Sequence, residues 1–401
     1  MTLFRLVWRS LRQHALSSCV TATGVALAGG LMMAVWSLRE QAQIAFTQMT
    51  GGVDAVLGAR GAKLQLVLNS LFHLDESAGN MPWAEYEAIK KHPQVQAAVP
   101  IGVGDSYRGF RVVGTLPSYF TELEPAPGQR YRVRAPGRLF DPLAREAVVG
   151  SYVAERLNLK RGDSFRPSHG VLEDGTTHEE DYLVVGILES ANTPADRVIW
   201  IPLEGIQTMS GHDARAATDV SAVLLRFRSG STAGFALERQ INKEGTKLTL
   251  AWPLGRILVQ LFDKVAWLDR VLALVAWLVA LVASAAILAS LHNAMNERRR
   301  ELGILRTLGA RRRTVFALVT AEGAAVAAFG AVGAYFVYGA ILTAAGTILR
   351  HQVGVVLNTW SWNGVLLWAP AALVLLGALA GAIPAIKAYR LEVAEALAPD
   401  S

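Results

Sequence analysis

Four stretches of the chain lack the alternation of polar and apolar positions expected of a water-facing element. Residues 15–38, 271–291 and 365–386 contain no charged side chain, and 315–346 contains one, Glu322. Each reaches the ~20 residues that a helix rising 1.5 Å per residue needs to cross a hydrocarbon core of roughly 30 Å. They predict four transmembrane helices. The first is read as a retained span. Its apolar run is long for a cleaved leader, and Arg39-Glu40-Gln41 follows it in place of a small-residue cleavage site. Ahead of it, residues 2–14 show helical periodicity. Arg5, Arg9 and Arg12 share one face, and Leu3, Phe4, Val7 and Leu11 lie largely opposite. Such a segment either lies in the headgroup layer or serves only as the signal that orients the chain.

Between the first two spans the pattern changes. Residues 111–114, 147–150, 182–188, 198–201 and 222–227 are short runs rich in Val and Ile and predict strands. Residues 82–91, 151–159 and 232–243 predict helices, each opened by proline or a capping residue. Asp174-Gly175 within 172–181 reads as a hairpin tip, and the Pro/Gly-rich stretch 124–137 as a boundary between two lobes. The fold class is a four-helix membrane protein with a large α+β domain inserted between helices 1 and 2. Residues 39–50 extend the first span outward. In 254–269, Leu258, Leu261, Phe262, Val265 and Leu268 recur at helical spacing and lead into the second. These two flanks predict a helical stalk, since neither has the Gly/Ser-rich or charged composition of a flexible linker.

Composition agrees with this layout. Of the 401 residues 52% are apolar and 18% are charged, below the roughly one quarter charged of a soluble domain. The single cysteine, Cys19, excludes an intrachain disulfide and any cysteine-based zinc or iron–sulfur site. The net charge of +6 is concentrated. Residues 39–270 carry 26 Lys/Arg against 27 Asp/Glu, whereas 292–314 carry seven arginines against Glu297 and Glu301. Basic stretches abutting apolar runs point to membrane topology and not to nucleic acid.

By the excess of positive charge on cytoplasmic loops, 1–14 and 292–314 face the cytoplasm. So does the tail from Lys387. The 347–364 loop, with Arg350 alone, lies outside together with 39–270. The expected organisation is an interfacial helix (1–14), spans at 15–38, 271–291, 315–346 and 365–386, an outer domain (39–270), a cytoplasmic loop (292–314), an outer loop (347–364) and a cytoplasmic tail (387–401).

Small residues recur within the spans: Ala22, Ala26 and Gly30 in the first, Gly330 and Ala334 in the third, Gly377 and Gly381 in the fourth. They predict close backbone approach in a packed bundle or a dimer seam. Glu322 is read as a bundle-lining residue that pairs with a basic group near the cytoplasmic face, the alternative being that it snorkels toward that face, since a carboxylate at membrane depth is costly unless paired or inward-facing.

The cytoplasmic stretch is helical through Leu308, with Gly309 placed to end it. Leu302, Leu305 and Leu308, with Ile304 at one edge, form an apolar stripe among arginines. On these residues alone the helix either lies in the headgroups or fills a groove on a cytosolic partner.

The run 297–310, Glu-Arg-Arg-Arg-Glu-Leu-Gly-Ile-Leu-Arg-Thr-Leu-Gly-Ala, resembles the hallmark of the FtsX-like permeases, the family that includes MacB-type and lipoprotein-releasing transporters. Residues 384–397, 111–120 and 148–157 and the layout of one span, an outer domain and three spans are similar to that family as well. The resemblance implies an ABC transporter permease that is not itself an enzyme. It implies a separate cytosolic ATPase, on which ATP and Mg are bound, and no cofactor or metal on this chain.

Glu297, Arg298, Arg299, Arg300, Glu301, Leu302, Gly303, Ile304, Leu305, Arg306, Leu308 and Gly309 are then the residues that couple to the ATPase. The implied activity is extrusion or extraction of an amphiphile by mechanotransmission, in an inner-membrane homodimer with both termini cytoplasmic. Membrane lipids and a periplasmic adaptor or lipoprotein are further implied partners. The alternative is a regulatory subunit that controls a cell-wall enzyme without transport. The chain has no G-x-x-x-x-G-K-[ST] phosphate loop and no HExxH, GxSxG or S-x-x-K motif. His169, Glu173, Asp174, His178, Glu179, Glu180 and Asp181 could supply metal ligands, but they match no defined metal spacing and read instead as a solvated hairpin tip. Tyr107, Arg108 and Phe110 suit partner contacts or, equally, a β-edge.

Overall fold

The computed structural model describes residues 3–48, 52–74, 76–125, 128–170, 177–210, 218–297, 304, 307, 310–353 and 362–390. In chain order the first elements are α1 (Leu3–Gln13), α2 (Ala15–Gln48), β1 (Ala55–Ala59), α3 (Lys63–Ser70), α4 (Trp83–Lys90), β2 (Val95–Tyr107) and β3 (Phe110–Thr115). Then follow α5 (Ser118–Glu122), β4 (Glu146–Val149), α6 (Ser151–Leu157), β5 (Ser164–Phe165), β6 (Ser168–His169), β7 (Tyr182–Ile187), β8 (Ile199–Pro202) and α7 (Leu203–Gln207). The chain continues through β9 (Ala222–Phe227), α8 (Gly230–Glu238), β10 (Leu248–Ala251), α9 (Leu254–Glu297), α10 (Arg312–Val353) and α11 (Val365–Arg390). Two compact units result, one of residues 1–41, 265–346 and 358–401, the other of 42–264 and 347–357.

The first unit is helical. Four of its helices are long and apolar enough to cross a membrane: Ala15–Gln41, Arg270–Asn293, Arg312–Arg350 and Val365–Ile386. Their interior is built from small residues. A Cβ on Gly330 would meet Val25 and, at 2.8 Å, the carbonyl of Ala22. One on Gly29 would meet Leu373 and Ala334. The small-residue stripes are therefore seams between helices of one chain. Large apolar side chains such as Leu16, Leu281, Phe336 and Leu379 point outward, as they do where the solvent is lipid. Along α1, Arg5, Arg9 and Arg12 are exposed and Val7 is buried against Val315, Leu318 and Val319 of α10. Phe4, expected on the apolar face with Val7, is 76% exposed.

The second unit is one α+β domain on a ten-stranded sheet of order β10-β1-β9-β2-β3-β8-β4-β7-β5, with β6 against β2. The two-lobe expectation is corrected here. The parallel pairing of β3 with β8 (Val112↔Ile199 through Thr115↔Pro202) carries the sheet through without a break. Burial alternates with period two. Val113, Val148 and Trp200 face one core; their neighbours Val112, Val149, Ile199 and Ile201 face another. The first face is continuous and also takes Val56, Leu224, Leu66 of α3 and Phe120 of α5. The opposite face is split into two patches, covered by α4 and α8 at one end and by α6 and α7 at the other. Both faces are apolar, so the strands read as short Val/Ile runs without alternation.

Strands β1, β2, β5, β6 and β10 and helices α3, α5 and α7 are not among the predicted elements, and β2 is the longest of them. Its 13 residues include Pro100, Gly102 and Gly104, residue types that ordinarily interrupt strands. A bulge between Val103 and Asp105 accommodates the irregularity. The predicted β-edge at Tyr107–Phe110 is a hairpin turn, with Arg108 at φ 47 and Gly109 at φ 78, the conformation a two-residue turn between twisted strands prefers. The predicted hairpin tip at Asp174-Gly175 lies outside the described residues.

One half-buried residue gives this domain a pH dependence. The imidazole of His73 packs edge-on against Trp200 at 5.7 Å. Burial first, and the charge of Arg111 second, push its pKa down to about 3. The unfolded chain takes up a proton below about pH 6.5 that the folded domain refuses, so stability falls as pH drops from there toward 3. Two pH units of full effect are worth about 3 kcal/mol, and water reaching part of the residue lowers this to about 2. Denaturation at pH 6.5 and pH 4.5 should show that loss. His73→Asn, which tolerates the positive φ of 54 at this position, should remove most of it.

Candidate functional site

The chain between α9 and α10 carries the predicted coupling residues. α9 ends at Glu297 and α10 starts at Arg312. Ile304 and Thr307 are helical, and the Thr307 hydroxyl donates to the Ile304 carbonyl at 2.8 Å. Ile304 is 45% exposed. Arg298, Arg299, Arg300, Glu301, Leu302, Gly303, Leu305, Arg306, Leu308 and Gly309 lie outside the described residues, as does the side chain of Glu297.

The ends of the flanking helices are described. Arg311, Arg312 and Arg313 are exposed at the start of α10, and the Arg312 guanidinium lies 5.9 Å from the Tyr389 ring of α11. Val7 of α1 is buried against Val315, which brings the α1 arginines to the same end of the helical unit. Two charged stretches some 300 positions apart in sequence thus form one basic end.

Above that end the unit encloses polar side chains. Glu322 is 5% exposed. It lines a cavity of about 20 Å³ with Ser10, His14, Ser18, Thr21 and Ser290, drawn from α1, α2 and α9. That volume holds about one water molecule. Glu322 therefore faces the bundle interior; it does not reach back to the rim. The basic group beside it is a histidine preceding the first span, which spacing along the third span gave no means of finding. The Ser17 and Ser290 hydroxyls are 2.8 Å apart, joining α2 to α9 nearby.

Among the described residues, one group has donor atoms placed for a metal ion: Asp105, His169 and His178 in the α+β domain. Glu180 is buried and accepts hydrogen bonds from the amide and hydroxyl of Ser210 at 3.0 and 2.9 Å. Asp181 pairs with Arg166 at 2.8 Å, and that arginine, with its bonded hydrogens first, holds the carboxyl below its usual range. Glu179 is exposed, and Glu173 and Asp174 lie outside the described residues. His178 and Glu180 thus depart from the solvated reading of this segment.

Two family models match the chain. The MacB-like periplasmic core domain matches residues 18–243 and the FtsX-like permease C-terminal domain matches 273–393. The chain belongs to the FtsX/MacB-type permeases of ABC transporters. Solved structures with similarity to this permease include the extracellular domain of the noncanonic ABC-type transporter YknZ from Gram-positive bacteria. It is 14% identical, with 49% of this chain and 97% of that chain covered and a TM-score of 0.32. Another is the periplasmic region of MacB from Actinobacillus actinomycetemcomitans, 10% identical, with 52% and 94% covered and a TM-score of 0.36. A comparison with curated proteins finds no match. FtsX/MacB-type permeases are membrane proteins, are not enzymes themselves and generally work with a cytosolic ABC ATPase.

Proposed function

We propose that this permease is the membrane subunit of an ABC transporter that extrudes or extracts an amphiphile on the outer side of the inner membrane by mechanotransmission. A separate cytosolic ATPase binds ATP and Mg and docks on residues 297–310. Two copies of the permease work together, with both termini in the cytoplasm. The observation that carries this reading is α9. Its first turns place Leu254, Ile257 and Leu258 in the core of the α+β domain, and the same uninterrupted helix ends at Glu297, where the coupling segment begins. Transmission of motion along the chain needs such unbroken helical continuity between the outer domain and the coupling segment, and α9 has it over 44 residues. The basic end of the helical unit supports its cytoplasmic placement.

Leu305→Glu places a carboxylate in the apolar stripe, and Gly303→Pro interrupts its helix. Each is expected to abolish co-purification of the ATPase under mild detergent and to stop transport, while the permease still accumulates in the membrane. Unchanged association in both variants would overturn the docking site. An ATPase complex that activates a cell-wall enzyme and moves no amphiphile would favour the regulatory alternative.

A further inference from the structure

We propose that Asp105, His169 and His178 form a binding site for a divalent transition-metal ion, with zinc as the expected occupant. The proposal does not depend on how the permease is powered.

The site is assembled by the irregular part of the sheet. The bulge in β2 at Gly104 sets Asp105 opposite His169 of β6, and directly opposed residues of an antiparallel pair point to the same face. The Gly104 carbonyl accepts a hydrogen bond from Gly170 at 3.0 Å, fastening β6 at the bulge. The segment at Thr177 and His178 is tied in by an isolated bridge from Thr177 to Ser168 and by the His178 amide, which donates to the Pro167 carbonyl at 2.9 Å. Both Asp105 and the His178 side chain are almost wholly buried, at 0% and 4% exposure; that of His169 is 55% exposed.

Protonation logic constrains the occupant. His178 Nδ1 is 2.6 Å from the carbonyl oxygen of Ser210. A carbonyl only accepts, so the hydrogen is on Nδ1, and in the neutral ring Nε2 is a lone pair. That lone pair is 3.2 Å from Asp105 Oδ1. His169 Nδ1 converges on the same oxygen at 3.5 Å. A nitrogen lone pair facing a buried carboxylate oxygen requires positive charge between them, either a proton or a metal ion.

The convergence admits the metal. Ligands at about 2.0–2.1 Å around a tetrahedral zinc are roughly 3.3–3.4 Å apart. The two contacts to Asp105, at 3.2 and 3.5 Å, bracket that edge, and the shorter one also fits a hydrogen bond. All three donor atoms lie within 4.8 Å of one another, and the exposed His169 ring can close the remaining edge by rotating.

The surroundings are those of a metal-binding histidine. Its far nitrogen is held by a backbone carbonyl, and the residue bearing that carbonyl, Ser210, is itself anchored twice by Glu180. Two imidazoles and a carboxylate suit zinc among the abundant divalent ions. Three protein ligands leave a fourth position for water or an incoming donor, on the side of the exposed His169. Bound metal would clamp β6 and the segment at His178 to β2.

The test uses the full-length permease in detergent, purified without a polyhistidine tag and stripped with a chelator. Zinc is titrated against a chromophoric chelator, and cobalt(II) absorption reports the coordination. One high-affinity zinc per chain is expected, with tetrahedral cobalt bands. His169→Ala, at an exposed position, and His178→Gln should each weaken binding by at least about tenfold. Zinc should raise the unfolding temperature of the unmodified protein and leave that of His169→Ala unchanged. Absence of saturable binding, or affinity unaltered by both substitutions, would overturn the site and leave a protonated His178 paired with Asp105.

Discussion

Replacing Trp200 by alanine should cost the α+β domain about 3–5 kcal/mol, the range for deleting a fully buried aromatic. Trp200 is 0% exposed. It lies on β8 between Val113 of β3 and Val148 of β4, at the join that makes the two ends of the sheet one. Its ring centroid is 4.3 Å from that of Tyr119 and 5.9 Å from that of Phe120. Its indole nitrogen donates to the Ala195 carbonyl at 3.2 Å. The substitution removes this contact area, leaves a cavity at the centre of the continuous face and takes away one of the two donors of the Ala195 carbonyl, leaving the Val198 amide. Chemical denaturation followed by hydrogen exchange in β3, β4 and β8 measures the loss. Trp200→Phe refills much of the volume and should cost less than half as much. A loss below about 1 kcal/mol for alanine would show that the sheet does not depend on this join.

Gly377→Val should separate α10 from α11. A Cβ at Gly377 would fall on the Cβ of Ala327 and 2.9 Å from the Gly323 carbonyl oxygen. Reciprocally, one at Gly323 would lie 2.6 Å from the Gly377 carbonyl oxygen and 3.2 Å from the Cα of Gly381. Backbone meets backbone here, so no flexible side chain can yield, and the helices must move apart. The expected cost is about 2–3 kcal/mol, the upper part of the usual range for overpacking, read as a lower unfolding midpoint on titrating detergent-solubilised protein with SDS. Gly339→Val is the control. A Cβ there meets nothing within 4 Å, so the change should be near neutral. Equal effects of the two substitutions would place the stabilising seam elsewhere.

The GxxxG of the fourth span was visible as spacing, but spacing does not name the partner. Gly377 and Gly381 turn out to face Gly323 and Val319 of the same chain, where a dimer seam was an equal expectation. The run 297–310 stands out in the sequence because arginines and an apolar stripe share a few consecutive turns, and its coupling role came from the family resemblance. Most of it lies outside the described residues. The strands at 222–227 and 182–188 were legible from Val/Ile content. β2 was not, because the same Pro and Gly that shape its bulge read as breakers. Asp105 sits in that unread strand, so the carboxylates visible beside His169 and His178 were those of 173–181, and the one that meets them was not.

The sequence by itself determined the four spans, their basic flanks, the inserted α+β domain and the family motif. Lipid forces each spanning helix to satisfy its backbone internally, and that makes its signature local and readable. Only the tertiary structure decided the strand order, the enclosure of Glu322 with His14 and the convergence of His178 on Asp105 across 73 positions. Hydrophobic periodicity records which face of an element turns inward. Which distant element meets it there is settled by packing.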